Sequence, residues 1–367
     1  MGLALADKWV WDFWFAEEGE RHHVFYLQAP RSLGDPELRH HNATIGHAVS
    51  ADLCDWTVLP DALAPGEPGS FDDLATWTGS VTRCGEQWAM LYTGISRKDA
   101  ERIQRIGLAF SDDLISWRKH PGNPVLEADP RWYELFDGTR WRDQSWRDPL
   151  LISDAGDGYH HVLLTARSAH GAADGAGVVG HARSRDLISW EVLAPVTEPG
   201  EFAQTEVPQQ LCIGGRWVIL VSCLAEDHSV ARVQRLGGRR SAGTFVFSSD
   251  RRFSGYQAAA DPVLPANTRL GPVYAGKLLE LKPGDWRFMG FIAGEGAAFA
   301  GVLTDPLPVK IDAQSGISVD LPSAELTGTG LGAGDGLGAG NGHGAGNGPG
   351  ARSHERPGCQ GNRTKSD

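Results

Sequence analysis

The sequence predicts an all-β protein, a five-bladed β-propeller. Three observations predict it: one phrase returns along the chain, a second series of short apolar segments interleaves with it, and helical stretches are few. The phrase reads GHAVSADLCDW at 46–56, GLAFSDDLISW at 107–117 and GHARSRDLISW at 180–190. A shortened copy, TFVFSSD at 244–250, keeps Ser-x-Asp and loses the Trp. Each full copy reads as an alternating strand, a Ser-x-Asp-Leu turn, and a Trp that opens the next strand. Copies lie about 60 to 75 residues apart, the mark of a repeat architecture.

The second series is WVWDFWF (9–15), WTGSV (77–81), WRDPLLI (146–152), TEVPQQLCI (205–213) and VYAGKLLEL (273–281). Five such units of short strands make five blades. The first strand of each blade would line the central channel, bringing residues far apart in sequence to one mouth. The expected propeller covers residues 1–323. Composition then changes: every second residue from Gly328 to Gly350 is Gly, a period that excludes the collagen triplet. Residues 324–367 are expected to be a disordered Gly-rich tail, too poor in apolar surface to offset the entropy of ordering.

Lys plus Arg number 34 against 46 Asp plus Glu, a net charge of −12. That argues against a nucleic-acid binder, which needs a basic surface. The five Cys form no CxxC pair, so neither a thiolate zinc site nor a disulfide framework is expected. No stretch approaches the roughly 20 apolar residues of a membrane helix, and no basic segment followed by an apolar run opens the chain. The reading is a soluble, cytoplasmic protein with no membrane partner, no metal and no cofactor.

Asp12, Asp148 and Glu206 each fall in an expected innermost strand. Three carboxylates would face one cavity, with aromatic walls from Trp9, Trp11, Trp14 and Trp77. Rings that stack on sugar faces, beside acids that do chemistry or bind hydroxyls, suit a small carbohydrate. Glycoside hydrolysis commonly uses two carboxyl groups flanking the scissile bond. Glu206 suits the acid, because FAQTEVPQQL is short of cations and burial would favour its protonated form. Asp148 follows Arg147, whose guanidinium would keep it ionised as an acceptor for sugar hydroxyls. Asp12 is left as the nucleophile. Gln28 and Lys277 are further candidates for ligand contact, and Lys277 could equally pair with one of the acids. His40 and His41 lie in a loop that could rim the pocket. His47 and His181 hold equivalent places in the repeat and are expected to be structural.

On these residues the chain resembles glycoside hydrolase families 32 and 68, the β-fructosidase and levansucrase superfamily. The matching motifs are Asp12 in VWDFW, GHAVSADLCDW from Gly46, TGS at Thr78–Ser80, MLYTG at Met90–Gly94, RDP at Arg147–Pro149 and TEVP around Glu206. They occur in the family's order over roughly residues 9–310. The resemblance implies a retaining mechanism on β-fructofuranosides or related furanosides. Asp12 would be nucleophile, Glu206 acid/base and Asp148 transition-state stabiliser, with Trp77, Thr78 and Arg147 touching the sugar. Within the motifs, two features depart from the family-32 pattern: Trp-Asp-Phe-Trp around the nucleophile is closer to the family-68 form, and Val207 stands where a Cys usually follows the acid. The C-terminal β-sandwich usual in family 32 is also not expected in residues 324–367. The alternatives are a fructosyltransferase, a family-43-like arabinofuranosidase or xylosidase, and a catalytically silent sugar-binding propeller.

Overall fold

Each full copy of the recurring phrase folds into the same turn. Asp52, Asp113 and Asp186 each accept the backbone N–H groups two and three residues on, at 2.7–2.9 Å. The Leu between takes a left-handed backbone, with φ of 63°, 63° and 65° at Leu53, Leu114 and Leu187. Trp117 and Trp190 then donate from Nε1 to the carbonyls of Leu114 and Leu187, both at 2.9 Å. The fourth copy is shifted by one residue from the sequence reading. Its strand ends at Ser249 rather than Ser248, and Ser249 Oγ accepts from Arg251 N at 3.0 Å. Arg251 therefore stands where the other copies have Asp.

A computed structural model describes residues 2–153, 155–264, 270–294, 299–312 and 316–321. Blade 1 holds β1 (Lys8–Glu18), β2 (Arg21–Pro30), β3 (Thr44–Ser50) and β4 (Thr57–Leu63). Blade 2 holds β5 (Ala75–Cys84), β6 (Gln87–Ile95), β7 (Arg105–Ser111) and β8 (Trp117–Lys119). Blade 3 holds β9 (Trp146–Ile152), β10 (His160–Arg167), β11 (Gly177–Ser184) and β12 (Trp190–Leu193). Blade 4 holds β13 (Glu206–Ile213), β14 (Arg216–Cys223), β15 (Gly243–Ser249) and β16 (Gln257–Ala258). Blade 5 holds β17 (Val273–Lys282), β18 (Asp285–Ile292), β19 (Val302–Leu303), β20 (Leu307–Asp312) and β21 (Gly316–Val319). Each sheet is an antiparallel meander in chain order, except that β19 and β20 both pair with β18. The five-bladed propeller is thus as expected. The expected tail, 324–367, lies outside the described residues.

Apolar faces of neighbouring sheets bury against one another. One cluster, including Trp11, Phe13 and Tyr92, joins blades 5, 1 and 2; another, around Trp146 and Leu164, joins blades 2 and 3. The ring closes through backbone: Val10 N donates to Gly301 O at 2.9 Å and Leu303 N to Leu3 O at 3.0 Å. Among the described residues, no helix is long and apolar enough to cross a membrane.

His47 and His181 are structural, each in a histidine pair. His23 Nδ1 lies 2.9 Å from His47 Nε2, and His161 Nδ1 lies 2.8 Å from His181 Nε2. The rings stack on Phe25 and Phe253. Burial, with a second histidine adjacent, pushes His47 and His181 each down from 6.5 to about 3. Unfolding lets them bind protons that the fold refuses. Their contribution is therefore complete above pH 6.5 and is lost as pH falls towards 3. Each loses about 1.4 kcal/mol per pH unit in that window, roughly 4 kcal/mol for the two between pH 6.5 and 5. Urea unfolding at pH 7 and pH 5 should show this loss in wild type and a smaller one in a His47→Leu/His181→Leu variant. Equal losses in the two proteins would refute the assignment.

Candidate active site

The inner strand of every blade carries one extra residue at the same height. Pairing skips between Trp11 and Phe13 in β1, between Trp77 and Gly79 in β5, and between Arg147 and Leu150 in β9. It skips again between Glu206 and Gln209 in β13 and between Tyr274 and Lys277 in β17. Asp148, Val207 and Ala275 have positive φ, at 55°, 54° and 52°. Bulges of this kind re-aim side chains. Here a ring of them divides the channel. Trp11, Trp77, Arg147, Glu206 and Tyr274, before the bulges, line an upper cavity of about 730 Å³, residues after the bulges line a lower one of about 500 Å³, and Thr78 and Asp148 border both.

Hydroxyls of one blade catch the bulge N–H of the next. Thr93, from the MLYTG stretch, accepts from Asp148 N at 3.0 Å and donates to Thr78 O at 3.0 Å. Thr165 accepts from Val207 N at 3.2 Å, and Thr244 from Gly276 N at 2.9 Å.

On this frame the three predicted acids meet at the floor of the upper cavity. Asp12 is partly exposed, and its Oδ2 accepts from Thr78 Oγ1 at 3.1 Å. Asp148 is buried, and its Oδ2 accepts from Thr165 Oγ1 at 2.7 Å and Val207 N at 3.1 Å. Glu206 accepts from Arg147 Nη2 at 2.7 Å and from the Tyr274 hydroxyl at 2.6 Å. Arg147 is fixed further by Gln104 Oε1 at 3.1 Å and Gln204 Oε1 at 3.0 Å.

The charge distribution of this free site is the reverse of the sequence expectation. Burial alone would raise Glu206, but the Arg147 charge and the Tyr274 and Arg147 hydrogen bonds outweigh it and hold Glu206 below 4.5. The cation that the local stretch lacks arrives from blade 3. Arg147 comes only within 3.7 Å of Asp148, so burial prevails and Asp148 is raised. Asp12 is pushed up to about 7 by burial and by the charges of Asp148 and Glu206.

Trp11, Trp77, Thr78 and Arg147 line the upper cavity, and so do His40 and His41 from a 3-10 turn at Pro36–Asn42. Trp77 is fixed by a 2.7 Å bond from Nε1 to His40 O. Four other candidates lie away from the upper cavity. Trp14 and Lys277 follow the bulges and line the lower cavity. Trp9 packs beneath Arg31. Gln28 is buried in β2, where Nε2 donates to Thr44 Oγ1 at 3.2 Å. Sequence reasoning missed Tyr274, Gln104 and Gln204. Tyr274 and Gln204 lie in or beside stretches already singled out, whereas nothing local marks Gln104. Among the described residues, no group of three or more His, Cys, Asp or Glu is arranged to hold a metal ion.

The model of the "Glycosyl hydrolases family 32 N-terminal domain" matches residues 14–234, more than half of the 367-residue chain. The chain belongs to glycosyl hydrolase family 32. The family-32 match takes in Asp148 and Glu206 and begins two residues after Asp12. "Beta-fructofuranosidase, insoluble isoenzyme 7" of Oryza sativa subsp. indica is 35% identical over 180 residues, 46% of this chain and 26% of that protein. "Fructan 6-exohydrolase" of Beta vulgaris is 33% identical over 147 residues, 39% of this chain and 22% of that protein. The family-32 stretch matched here thus spans about a quarter of these relatives' length. Inulosucrase from Halalkalicoccus jeotgali, solved bound to kestose, superposes with a TM-score of 0.70 at 22% identity, covering 88% of this chain and 89% of its own. The GH32 beta-fructofuranosidase of Bombyx mori superposes with 0.64 at 21% identity, covering 88% and 65%. At these identities the two structures speak to the fold alone.

Proposed function

We propose that this family-32 chain is a retaining glycoside hydrolase acting on β-fructofuranosides or related furanosides. One observation carries the reading. Asp12, Asp148 and Glu206, from three blades, meet at the floor of one cavity beside Trp11 and Trp77. In the reaction, Asp12 attacks the anomeric carbon while Glu206 protonates the leaving oxygen, and Glu206 then deprotonates the water that releases the sugar. Asp148 accepts from sugar hydroxyls, already oriented by Thr165 and the Val207 N–H. Trp11 and Trp77 supply apolar faces for the ring.

A cavity of about 730 Å³ has room beyond one furanose for a second sugar, which makes transfer the rival reading. Product analysis with sucrose separates the two: free fructose means hydrolysis, and longer oligomers mean transfer. With methanol as acceptor, NMR should show methyl β-fructofuranoside, the retained configuration. The α-anomer would overturn the double displacement and move the chain towards an inverting mechanism.

A further inference from the structure

Lys277 sits just beyond the bulge of β17, 5% exposed, in the lower cavity that Asp148 also borders. Its Nζ donates to the carbonyl of Val207 at 2.8 Å and that of Pro208 at 3.4 Å. Val207 is also the residue whose N–H holds Asp148, and it directly follows Glu206. A buried ammonium on neutral carbonyls is costly unless negative charge lies near. That charge is present. Arg147 is committed to Glu206 at 2.7 Å, which leaves Asp12 and Asp148, the two acids whose charges act on Lys277.

Resting on the hydrolase reading above, we propose that Lys277 is a positioning residue. From below, it clamps the Glu206–Val207–Pro208 bulge and supplies a fixed positive charge that favours the ionised form of Asp12 beside Asp148. It lines the lower cavity and not the upper one, where the sugar is proposed to bind. Burial outweighs the upward pull of Asp148 and Asp12 and brings Lys277 from 10.5 down to about 8, so most of it is still charged at neutral pH. The other groups acting on Asp12 are Asp148, Glu206 and the Thr78 hydroxyl. Asp148 faces Arg147 and Glu206, and the lower cavity adds Glu17 and Glu280.

The test uses the full chain as wild type, Lys277→Met and Lys277→Arg. For each, kcat and KM on sucrose are measured from acid to alkaline pH, with Tm. The titration midpoint of Asp12 is read by carbon NMR of protein with labelled aspartate carboxyls, assigned with Asp12→Asn. Lys277→Met should raise the Asp12 midpoint by about one pH unit. It should also lower kcat ~10²-fold, the scale of an angstrom-level misplacement, with KM within about threefold. Lys277→Arg should return the midpoint to its wild-type place. A structural role alone would lower Tm and leave the midpoint unmoved, and that result overturns the proposal. If Lys277→Met does not fold, Lys277→Gln, which keeps a donor but not the charge, reads the same midpoint. A wild type inactive on every fructofuranoside refutes the hydrolase reading, and the Asp12 midpoint still decides on Lys277.

Discussion

Replacing Asp12 with Asn should reduce turnover of every β-fructofuranoside by roughly 10⁴-fold or more, the scale of losing the nucleophile of a covalent mechanism. Asn keeps the shape and an oxygen for Thr78, but it has no charge with which to attack, so good and poor leaving groups should fail alike. The same variant should be more stable than wild type at pH 8. Asp12 is raised from 3.8 to about 7 by burial and by its acidic neighbours. Between those values the fold holds a proton that the unfolded chain releases, so the native carboxylate costs stability as pH rises through the window. Removing it should return a few kcal/mol. Inactive and more stable is the signature of a strained functional acid, whereas a structural Asp would lose stability. Urea unfolding beside sucrose turnover checks both halves.

The same electrostatics set the pH profile. The proposed double displacement needs a bare Asp12 and a protonated Glu206, the minority arrangement here, because the proton prefers Asp12. The population carrying one proton on this pair persists between the Glu206 midpoint, below 4.5, and about 7. Thus kcat/KM should be level within that range and fall above about pH 7, as the last proton leaves. A rate still climbing above pH 8 would mean that no proton on Glu206 is needed.

The blades were legible because their signal is local. Asp52, Asp113 and Asp186 close the same turn with their own neighbours, so one phrase carries turn, register and strand end together. The fourth copy slipped by one residue because Arg251 replaces the Asp that would have marked its register. The acids were legible for a similar reason, since each lies in a short apolar strand where a carboxylate stands out. The bulges left no such mark. One extra residue at Asp12, Thr78, Asp148, Val207 and Ala275 changes no hydrophobic pattern, yet it decides which residues face up. That is why Lys277 was read as either a ligand contact or a partner for one of the acids, and Tyr274, three residues earlier, was passed over. Charge was the least legible, because Arg147 acts on Glu206 from another blade, 59 residues away in the chain.

Replacing Glu206 with Gln should lower turnover of sucrose by about 10²–10⁴-fold, the contribution of a positioned general acid. Its signature differs from that of Asp12→Asn. A nitrophenyl leaving group needs little protonation, so the first step should recover on such a fructoside and the defect should move to release of the sugar. Azide needs no general base to attack the intermediate, so it should restore part of the rate and leave a fructosyl azide among the products. The surroundings sharpen the test. Tyr274 and Arg147 both favour the Glu206 carboxylate, through bonds of 2.6 Å and 2.7 Å. Gln cannot ionise, so the variant should lose the fall above pH 7 that reports proton loss in wild type. Tyr274→Phe, which removes one bond favouring the carboxylate, should raise the Glu206 midpoint and enlarge the productively protonated fraction. An equal loss on both leaving groups without azide rescue would remove Glu206 from the acid/base role. If Asp12→Asn were also active, the carboxylate cluster would serve binding alone.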